Sequence, residues 1–141
     1  GMNRAELEAN PRLAERDVRD LNQEPSLPFA RAQFDAVVCT ASFEYLTEPR
    51  RMVAEIARVL KPGGYCIIAF SDRWFPTKAI QVWTEIHPFE RMALVLGLLH
   101  QSGFGDLHSE SLRGCKRPSD DKYIGQRAYA DPLFAVWGRK I

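Results

Sequence analysis

A central apolar stretch constrains the fold most strongly, because it reads as strand, helix, turn and strand. Phe34–Ala41 is almost continuously apolar, which is typical of a strand covered on both faces in a parallel sheet. Apolar residues at helical spacing follow over Glu48–Leu60 and end at the stop signal Lys61–Gly64. Tyr65–Phe70 is a second apolar run. This order predicts a right-handed βαβ unit, and therefore an α/β fold.

The N-terminal residues, 1–33, are more polar and give weaker signals. Good helix formers over Asn3–Leu13 favour a short amphipathic helix before the loop that contains Pro11. Arg16–Leu21 is interpreted as a short strand with Val18 pointing inward, and the proline-bearing segment after it as a loop. We therefore expect a helix, a short strand and a loop ahead of a core over residues 34–141, all in one domain.

The C-terminal half predicts more helix and two further strands. The helical pattern of Ile80–His100 is interrupted at Pro88, so we expect two helical pieces. Phe104–Arg113 and Pro132–Arg139 are interpreted as late strands. The polar and basic segment Gly114–Asp131 between them is expected to be a long, mobile connection with a solvated surface.

Charge and cysteine content exclude several classes of function. A formal charge of +1 gives no long-range attraction to nucleic acid or to an anionic membrane. Cys39, Cys66 and Cys115 form no disulfide framework, which favours a reducing compartment, and the spacing of the three histidines does not suggest a metal site. No stretch approaches the roughly 20 apolar residues that span a bilayer. We expect a soluble, cytoplasmic protein without a bound metal.

The central sequence resembles class I S-adenosylmethionine-dependent methyltransferases of the small-molecule type. The resemblance rests on FDAVVCTASFEYLTEP, beginning at Phe34, and on MVAEIARVLKPGGYCIIAFS, beginning at Met52. It implies that the strand at Phe34 is the fourth of the family's seven strands and that the late strands form its antiparallel end. The expected fold is part of a Rossmann-like sheet, mostly parallel with an antiparallel C-terminal end. The implied activity is methyl transfer to a small molecule.

The same resemblance implies where S-adenosylmethionine binds. Asp20 and Leu21 match the acidic side chain and the next backbone amide that hold the adenine ring. Thr40, Ala41 and Ser42 match the segment that lines the methionine part of the cofactor, outside the carboxyl end of a strand. Both segments also have purely structural interpretations, since an Asp before a loop often caps backbone amides and residues after a strand often lead into a helix.

Four residues match positions that face the methyl acceptor, namely Phe43, Glu44, Tyr45 and Trp74. Glu44 is equally well explained as a solvated carboxylate in the first turn of a helix. Trp74 belongs to an aromatic group that also suits core packing. No residue is assigned a catalytic role.

Other parts of the family's site have no counterpart in the sequence. No glycine-rich loop of the G-x-G-x-x-G kind precedes Phe34, and the family's first strands would lie upstream of the chain's first residue. The sequence is therefore interpreted as a truncated domain with its first strands missing. We expect the isolated chain to bind the cofactor weakly or not at all, because positioning supplies most of the catalysis in methyl transfer.

A missing neighbour would leave one edge of the strand at Phe34 unpaired, which is a liability in a sheet. Either Arg16–Leu21 pairs with that edge in parallel, or a second copy covers it in a homodimer. Three hypotheses remain open. The chain is a weakly active member of the family, or it is a non-catalytic module that pairs with itself or with a complete methyltransferase, or its beginning reflects the choice of start site.

Overall fold

The computed structural model describes residues 1–141. The elements in chain order are α1 (Arg4–Ala9), β1 (Phe34–Thr40), a 3-10 helix (Phe43–Tyr45), α2 (Pro49–Val59), β2 (Leu60–Ser71), α3 (Gln81–Glu85), α4 (Pro88–Gln101), β3 (Phe104–Leu112) and β4 (Leu133–Lys140). The βαβ unit, the two helical pieces around Pro88 and the two late strands are confirmed. None of the helices has the length and apolar character needed to cross a bilayer.

The four strands form one sheet in the order β1-β2-β4-β3. β1 and β2 run parallel, whereas β4 runs antiparallel to both β2 and β3. The α/β class with an antiparallel C-terminal end is thereby confirmed, with one parallel pair and two antiparallel pairs in the sheet. β1 lies at one edge, where only β2 pairs with it.

α2 and α4 cover one face of the sheet, here called the core face. Proline is tolerated at the start of each helix because the first turn has no partner for its N–H, and both helices begin at a proline. α4 also has a capping box in which the Glu90 carboxylate accepts the His87 N–H at 2.7 Å. The core beneath these helices includes the fully buried side chains of Ile68, Phe70 and Phe134.

The segment predicted as a stop signal lies inside β2. β2 begins at Leu60, directly after α2, instead of at Tyr65. Gly63 has a φ of +79°, and a Cβ on Gly64 would lie 2.9 Å from the Asp35 carbonyl oxygen, so both positions require glycine. Phe34 pairs with Leu60 and Ala36 with Tyr65, so β2 carries extra residues at this point and bulges.

The prediction of a strand at Arg16–Leu21 is wrong, and so is the first of the two alternatives for the free edge, in which this segment pairs with β1. The segment is in no strand, and β1 pairs with β2 alone. Arg19 forms ion pairs with Asp17 and Glu24, which hold this charged segment in a local turn. α1 is also shorter than predicted, because Asn3 caps its start and Asn10 ends it.

The second face of the sheet, here called the open face, has no helix packed over its centre. Val38, Tyr65 and Leu133 on this face are 63%, 41% and 54% exposed. Trp137 pairs with Ile67 on the neighbouring strand and stacks on His108, with ring centres 5.3 Å apart. The apolar residues predicted to be covered on both faces are thus covered on one.

The connection between β3 and β4 folds back on itself. Lys116 and Tyr129 form an isolated antiparallel bridge. Between them, the Arg117 guanidinium pairs with the carboxylates of Asp121, at 3.0 Å, and Asp131, at 3.4 Å. Arg117 is therefore a structural residue, although its segment was expected to be solvated throughout.

Candidate functional site

The carboxyl ends of β1 and β2 meet at one edge of the sheet, where ligands bind in open α/β sheets. The Ala41 N–H donates to the Ala69 carbonyl oxygen at 2.9 Å, which extends the parallel pairing by one residue. Ala41 then adopts a φ of +49°, an uncommon conformation for a residue with a side chain. This turn lifts the chain out of the sheet and leaves Thr40, Ala41 and Ser42 exposed at the edge.

Cys39 lies just behind this edge and is a poor nucleophile. Burial raises the pKa of the Cys39 thiol, the Ser42 hydroxyl 3.2 Å from its sulfur lowers it, and the nearby Glu44 carboxylate raises it. Burial likewise raises the pKa of Cys66 to about 12. Both thiols remain protonated at neutral pH, so their packing in the core, as the sequence predicted, is their role.

The predicted adenine segment, Asp20 and Leu21, forms a turn. An Asp20 carboxylate oxygen accepts the Asn22 N–H at 3.0 Å, and the Asp20 carbonyl oxygen accepts the N–H groups of Gln23 and Glu24. One Asp20 carboxylate oxygen therefore caps a backbone amide of its own turn. The Leu21 N–H donates to no acceptor within the chain, so a carboxylate oxygen and a backbone donor remain side by side.

Asn22 joins this turn to the 3-10 helix. Its side-chain amide donates to the Tyr45 carbonyl oxygen at 2.9 Å, and its amide oxygen accepts the Thr47 N–H at 2.9 Å and the Thr47 hydroxyl at 3.2 Å. The Asp20 turn is thus fixed to the 3-10 helix, which begins directly after Ser42. Sequence reasoning missed Asn22, since one polar residue in a polar loop gives no signal of a partner 23 residues away.

The residues predicted to face the acceptor lie in different surroundings. Phe43 is fully buried in the core, with its ring centre 6.3 Å from that of Trp83. The Tyr45 hydroxyl accepts the Phe75 N–H at 3.1 Å, which anchors the segment after β2 to the 3-10 helix. Trp74, in that segment, is half-buried. The structure therefore brings Tyr45 and Trp74 to the same end of the sheet and places Phe43 behind them.

Glu44 is a carboxylate in the interior, only 1% exposed. Burial raises its pKa, while its own backbone N–H and the positive charge of Arg91 lower it. Its Oε2 atom has no hydrogen-bond partner. The interpretation of Glu44 as a solvated first-turn carboxylate is therefore wrong, because the 3-10 helix turns this side chain towards the core.

Arg91 is the second buried charge at this end of the sheet, 5% exposed, and sequence reasoning missed it. Its Nε donates to the Trp83 carbonyl oxygen at 2.9 Å. The guanidinium carbon lies 5.5 Å from the ring centre of Trp74 and 5.6 Å from that of Trp83, close enough for cation–π attraction. A charged residue among the apolar positions of α4 was the signal available in the sequence.

Two surface cavities, of about 440 and 410 Å³, lie at the opposite end of the strands, near the start of β2. Lys140 lines both, and its ammonium group donates to the Leu60 carbonyl oxygen at 2.7 Å. Arg58, in the first cavity, donates to the Phe29 carbonyl oxygen at 2.8 Å and pairs with Glu55. These cations stabilise the fold, and the candidate site is the edge that carries Asp20, Thr40 and Glu44.

Comparison with known proteins agrees with this geometry. Residues 2–68 match a protein family described as "Methyltransferase domain". The chain is 33% identical over 98 residues to the O-methyltransferase cnsE of Penicillium expansum, covering 66% of this chain and 36% of that protein. It is 38% identical over 60 residues to the ubiquinone/menaquinone biosynthesis C-methyltransferase UbiE of Ralstonia pickettii, covering 41% and 25%. The matched part is thus about a third or less of these relatives' length.

A solved structure shows the same fold. The chain superposes on an S-adenosylmethionine-dependent methyltransferase from Archaeoglobus fulgidus with a TM-score of 0.60 and 14% identity, covering 88% of this chain and 66% of that one. At this identity the likeness concerns the fold alone. The sequence match over residues 2–68 and the superposition point in the same direction: the chain is similar in sequence to a methyltransferase domain and has the fold of S-adenosylmethionine-dependent methyltransferases.

Proposed function

We propose that this chain takes part in methyl transfer from S-adenosylmethionine to a small molecule. In this proposal Asp20 and Leu21 hold the adenine ring, and Thr40, Ala41 and Ser42 line the methionine part of the cofactor. The observation that carries the proposal is the set of hydrogen bonds from Asn22, which ties the Asp20 turn to Tyr45 and Thr47, in and just after the 3-10 helix that follows Ser42. The names of the relatives support a small-molecule acceptor, since they include an O-methyltransferase and a quinone-pathway C-methyltransferase.

The chemistry of the Asp20 turn fits an adenine edge. That edge offers an amino donor next to a ring-nitrogen acceptor. The Asp20 carboxylate is an acceptor, and the Leu21 N–H is a donor without a partner in the chain. The bound cofactor would supply an electrophilic methyl group on a sulfonium, and the chain's own residues would orient it.

Isothermal titration with S-adenosylhomocysteine tests this proposal. Asp20→Asn, which weakens the acceptor for the adenine amino group, is expected to reduce affinity by about tenfold, the cost of one charge-assisted hydrogen bond. Glu24→Gln, in the same turn but paired with Arg19, is the matched control and leaves affinity unchanged. Equal affinity of the wild type and Asp20→Asn would contradict the assignment.

A second candidate function is a non-catalytic interaction module that pairs with a second copy of itself. The free edge of β1 and the exposed apolar side chains beside it favour this candidate. In an antiparallel pairing of two β1 strands about Val37, Asp35 lies opposite Cys39 of the second copy, so no like charges meet. A continuous eight-stranded sheet would then remove the free edge in both copies.

Light scattering coupled to gel filtration tests this candidate. We expect the wild-type mass to be that of a dimer at micromolar concentration, and Val38→Lys to give a monomer. Ile124→Lys, which adds the same charge at an apolar residue that is 40% exposed on the β3–β4 connection, serves as the control. A monomeric wild-type protein, or a dimeric Val38→Lys variant, would rule out pairing through β1.

A further inference from the structure

The cavity of about 440 Å³ near the start of β2 is lined by an excess of positive charge. Arg31, Arg51, Arg58 and Lys140 line it together with one carboxylate, that of Glu55. The hydrogen bonds from Arg58 lower the pKa of Glu55, so this carboxyl is ionised at neutral pH. Four positive charges against one negative charge leave a formal excess of three within one concave surface. Concave surfaces lined by one sign of charge concentrate counter-ions.

The neighbouring cavity, of about 410 Å³, does not share this excess. Arg139 and Lys140 line it with Asp106, so two positive charges stand against one negative charge. The two cavities are similar in volume, and both lie at the same end of the strands. The large excess is therefore a property of the first cavity and not of this end of the sheet as a whole.

Hydrogen bonds hold the walls of the first cavity, here called the cationic cavity, in place. Arg58 donates to the Leu27 carbonyl oxygen at 3.0 Å, and the Leu27 N–H donates to Glu55 at 2.9 Å. On the other side, the Lys140 ammonium donates to the Leu60 carbonyl oxygen at 2.7 Å. These bonds tie the loop before β1 to α2, and the end of β4 to the start of β2. The cavity is therefore formed before any ligand binds.

The guanidinium of Arg31 lines this cavity and has no hydrogen-bond or ion-pair partner within the chain. Its backbone is nevertheless fixed, because the N–H groups of the next two residues donate to the carbonyl oxygens of Arg58, at 3.0 Å, and Val59, at 2.7 Å. Arg51 lies two helical turns before Arg58 on the same face of α2, and its one ion pair is with the exposed Glu48. The Ser26 hydroxyl adds a further donor. The cavity thus presents several free donors on a rigid frame.

These donors restrict the class of ligand. A cation would be repelled, and a neutral polar molecule would leave the excess charge uncompensated. Guanidinium groups match the oxygens of phosphates and carboxylates in pairs of parallel hydrogen bonds. A diphosphate group carries about three negative charges at neutral pH, which equals the excess in the cavity. The volume lies within the usual range of small-molecule sites. No aromatic side chain lines it, so it offers no surface on which a nucleobase would stack.

We propose that the cationic cavity is a second binding site, which takes the diphosphate group of a small soluble ligand. Arg31 and Arg51 bind the phosphate oxygens, and Ser26 donates a further hydrogen bond. Arg58 and Lys140 are engaged with backbone carbonyls, so they contribute positive charge and hold the walls. This site lies at the opposite end of the strands from Asp20 and Thr40, and it does not depend on methyl transfer.

Isothermal titration with inorganic pyrophosphate tests the proposal on the wild-type chain. EDTA removes divalent cations, and sodium chloride keeps the ionic strength constant. We expect saturable one-to-one binding with a Kd below about 1 mM, and at least tenfold weaker binding of inorganic phosphate, which has fewer charges. No saturable binding up to about 10 mM pyrophosphate would overturn the proposal. So would sedimentation of the protein with phosphatidylglycerol vesicles if pyrophosphate failed to bind, because a membrane surface would then be the source of the phosphate groups.

Variants of the two free cations test which residues bind the ligand. Arg31→Gln and Arg51→Gln should each weaken pyrophosphate binding about tenfold, the effect of losing one charge-assisted contact. Arg139→Gln removes the same charge from the neighbouring cavity and should change the affinity less than about twofold. Thermal unfolding without ligand checks that each variant folds. An equal loss from all three substitutions would overturn the proposal, because the protein would then attract pyrophosphate through its overall charge.

Nitrogen–proton correlation spectra of the wild-type protein locate the ligand without any substitution. Pyrophosphate should shift the backbone amides of Ser26 and Arg31 saturably and leave those of Asp20 and Thr40 in place. Shifts confined to Asp20 and Thr40 would contradict the assignment. Affinity for S-adenosylhomocysteine should be the same in the wild type and in Arg31→Gln, because the two proposed sites lie at opposite ends of the strands. Loss of one binding activity with retention of the other therefore distinguishes failure of this inference from failure of the proposed function.

Discussion

The two faces of the sheet are built from the same strands, yet only one of them is a core. Along β2 the side chains of Cys66, Ile68 and Phe70 are buried, while that of Tyr65, directly before Cys66, points to the other face and is 41% exposed. Both sets are apolar, so the composition of the strand does not distinguish them. The difference is that α2 and α4 lie on one face. An apolar strand pattern therefore shows that either face of the strand could be buried. The helices that pack on the sheet decide which face is buried.

The largest expected effect comes from truncating a side chain on the core face. Phe70→Ala should lower the free energy of unfolding by about 3–5 kcal/mol. Phe70 is 1% exposed, and its ring centre lies 4.8 Å from that of Trp83 and 5.5 Å from that of Phe134. Tyr65→Ala, on the open face of the same strand, should cost less than about 1 kcal/mol. Urea unfolding measures both, and similar losses would mean that the open face is covered in solution.

A smaller loss of stability is expected from removing the side chain that ties residues 20–33 to the 3-10 helix. Asn22→Ala removes three hydrogen bonds to Tyr45 and Thr47. We expect a loss of about 1–2 kcal/mol in the free energy of unfolding, because the groups left behind can reach water. Weaker binding of S-adenosylhomocysteine should accompany it. Gln23→Ala, at an exposed neighbour without a side-chain hydrogen bond, is the control and should be silent in both thermal unfolding and calorimetry.

The buried carboxylate of Glu44 should give the stability of the protein a distinctive pH dependence. Burial raises the pKa of Glu44 in the folded state above its usual value of 4.5. Between these two pKa values the folded state binds more protons than the unfolded state, so stability falls as pH rises through this window. Glu44→Gln removes this loss. Its stability relative to the wild type should improve from pH 4 to neutral pH, and a difference independent of pH would show that Glu44 is solvated.

The smallest change in stability is expected from truncating a side chain on the open face. Val38→Ala should change the free energy of unfolding by less than about 0.5 kcal/mol in the monomer, because the side chain is 63% exposed. Val53→Ala, on the buried side of α2, provides the contrast, with a loss of at least about 2 kcal/mol. Chemical unfolding at two protein concentrations checks this prediction. A loss from Val38→Ala that grows with protein concentration would point to contact with a second copy.

Much of the fold could be predicted because its signals are local. Pro49 and Pro88 begin helices, and α2 ends at Val59, directly before the predicted stop segment, although Gly63 and Gly64 lie in a bulge of β2 instead of a turn. Arg16–Leu21 was mispredicted because one inward valine resembles a strand, while the pairing of Arg19 with its neighbours is visible only in three dimensions. Within the site, the sequence suggested Asp20 and Glu44 but gave no reason to connect them to Asn22, Trp83 or Arg91.

The sequence by itself determined the βαβ unit, the late strands and the resemblance to methyltransferases, because periodicity, caps and motifs depend on residues close together in the chain. The tertiary structure alone decided that β1 ends the sheet, that one face stays open and that Glu44 turns inward, where the charge of Arg91 acts on it and Ile80 and Trp83 of the neighbouring segment pack beside its helix. Ile80, Trp83 and Arg91 lie 36 to 47 positions from Glu44 in the chain. Their proximity depends on how α3 and α4 pack beside the 3-10 helix, and no local pattern encodes that packing.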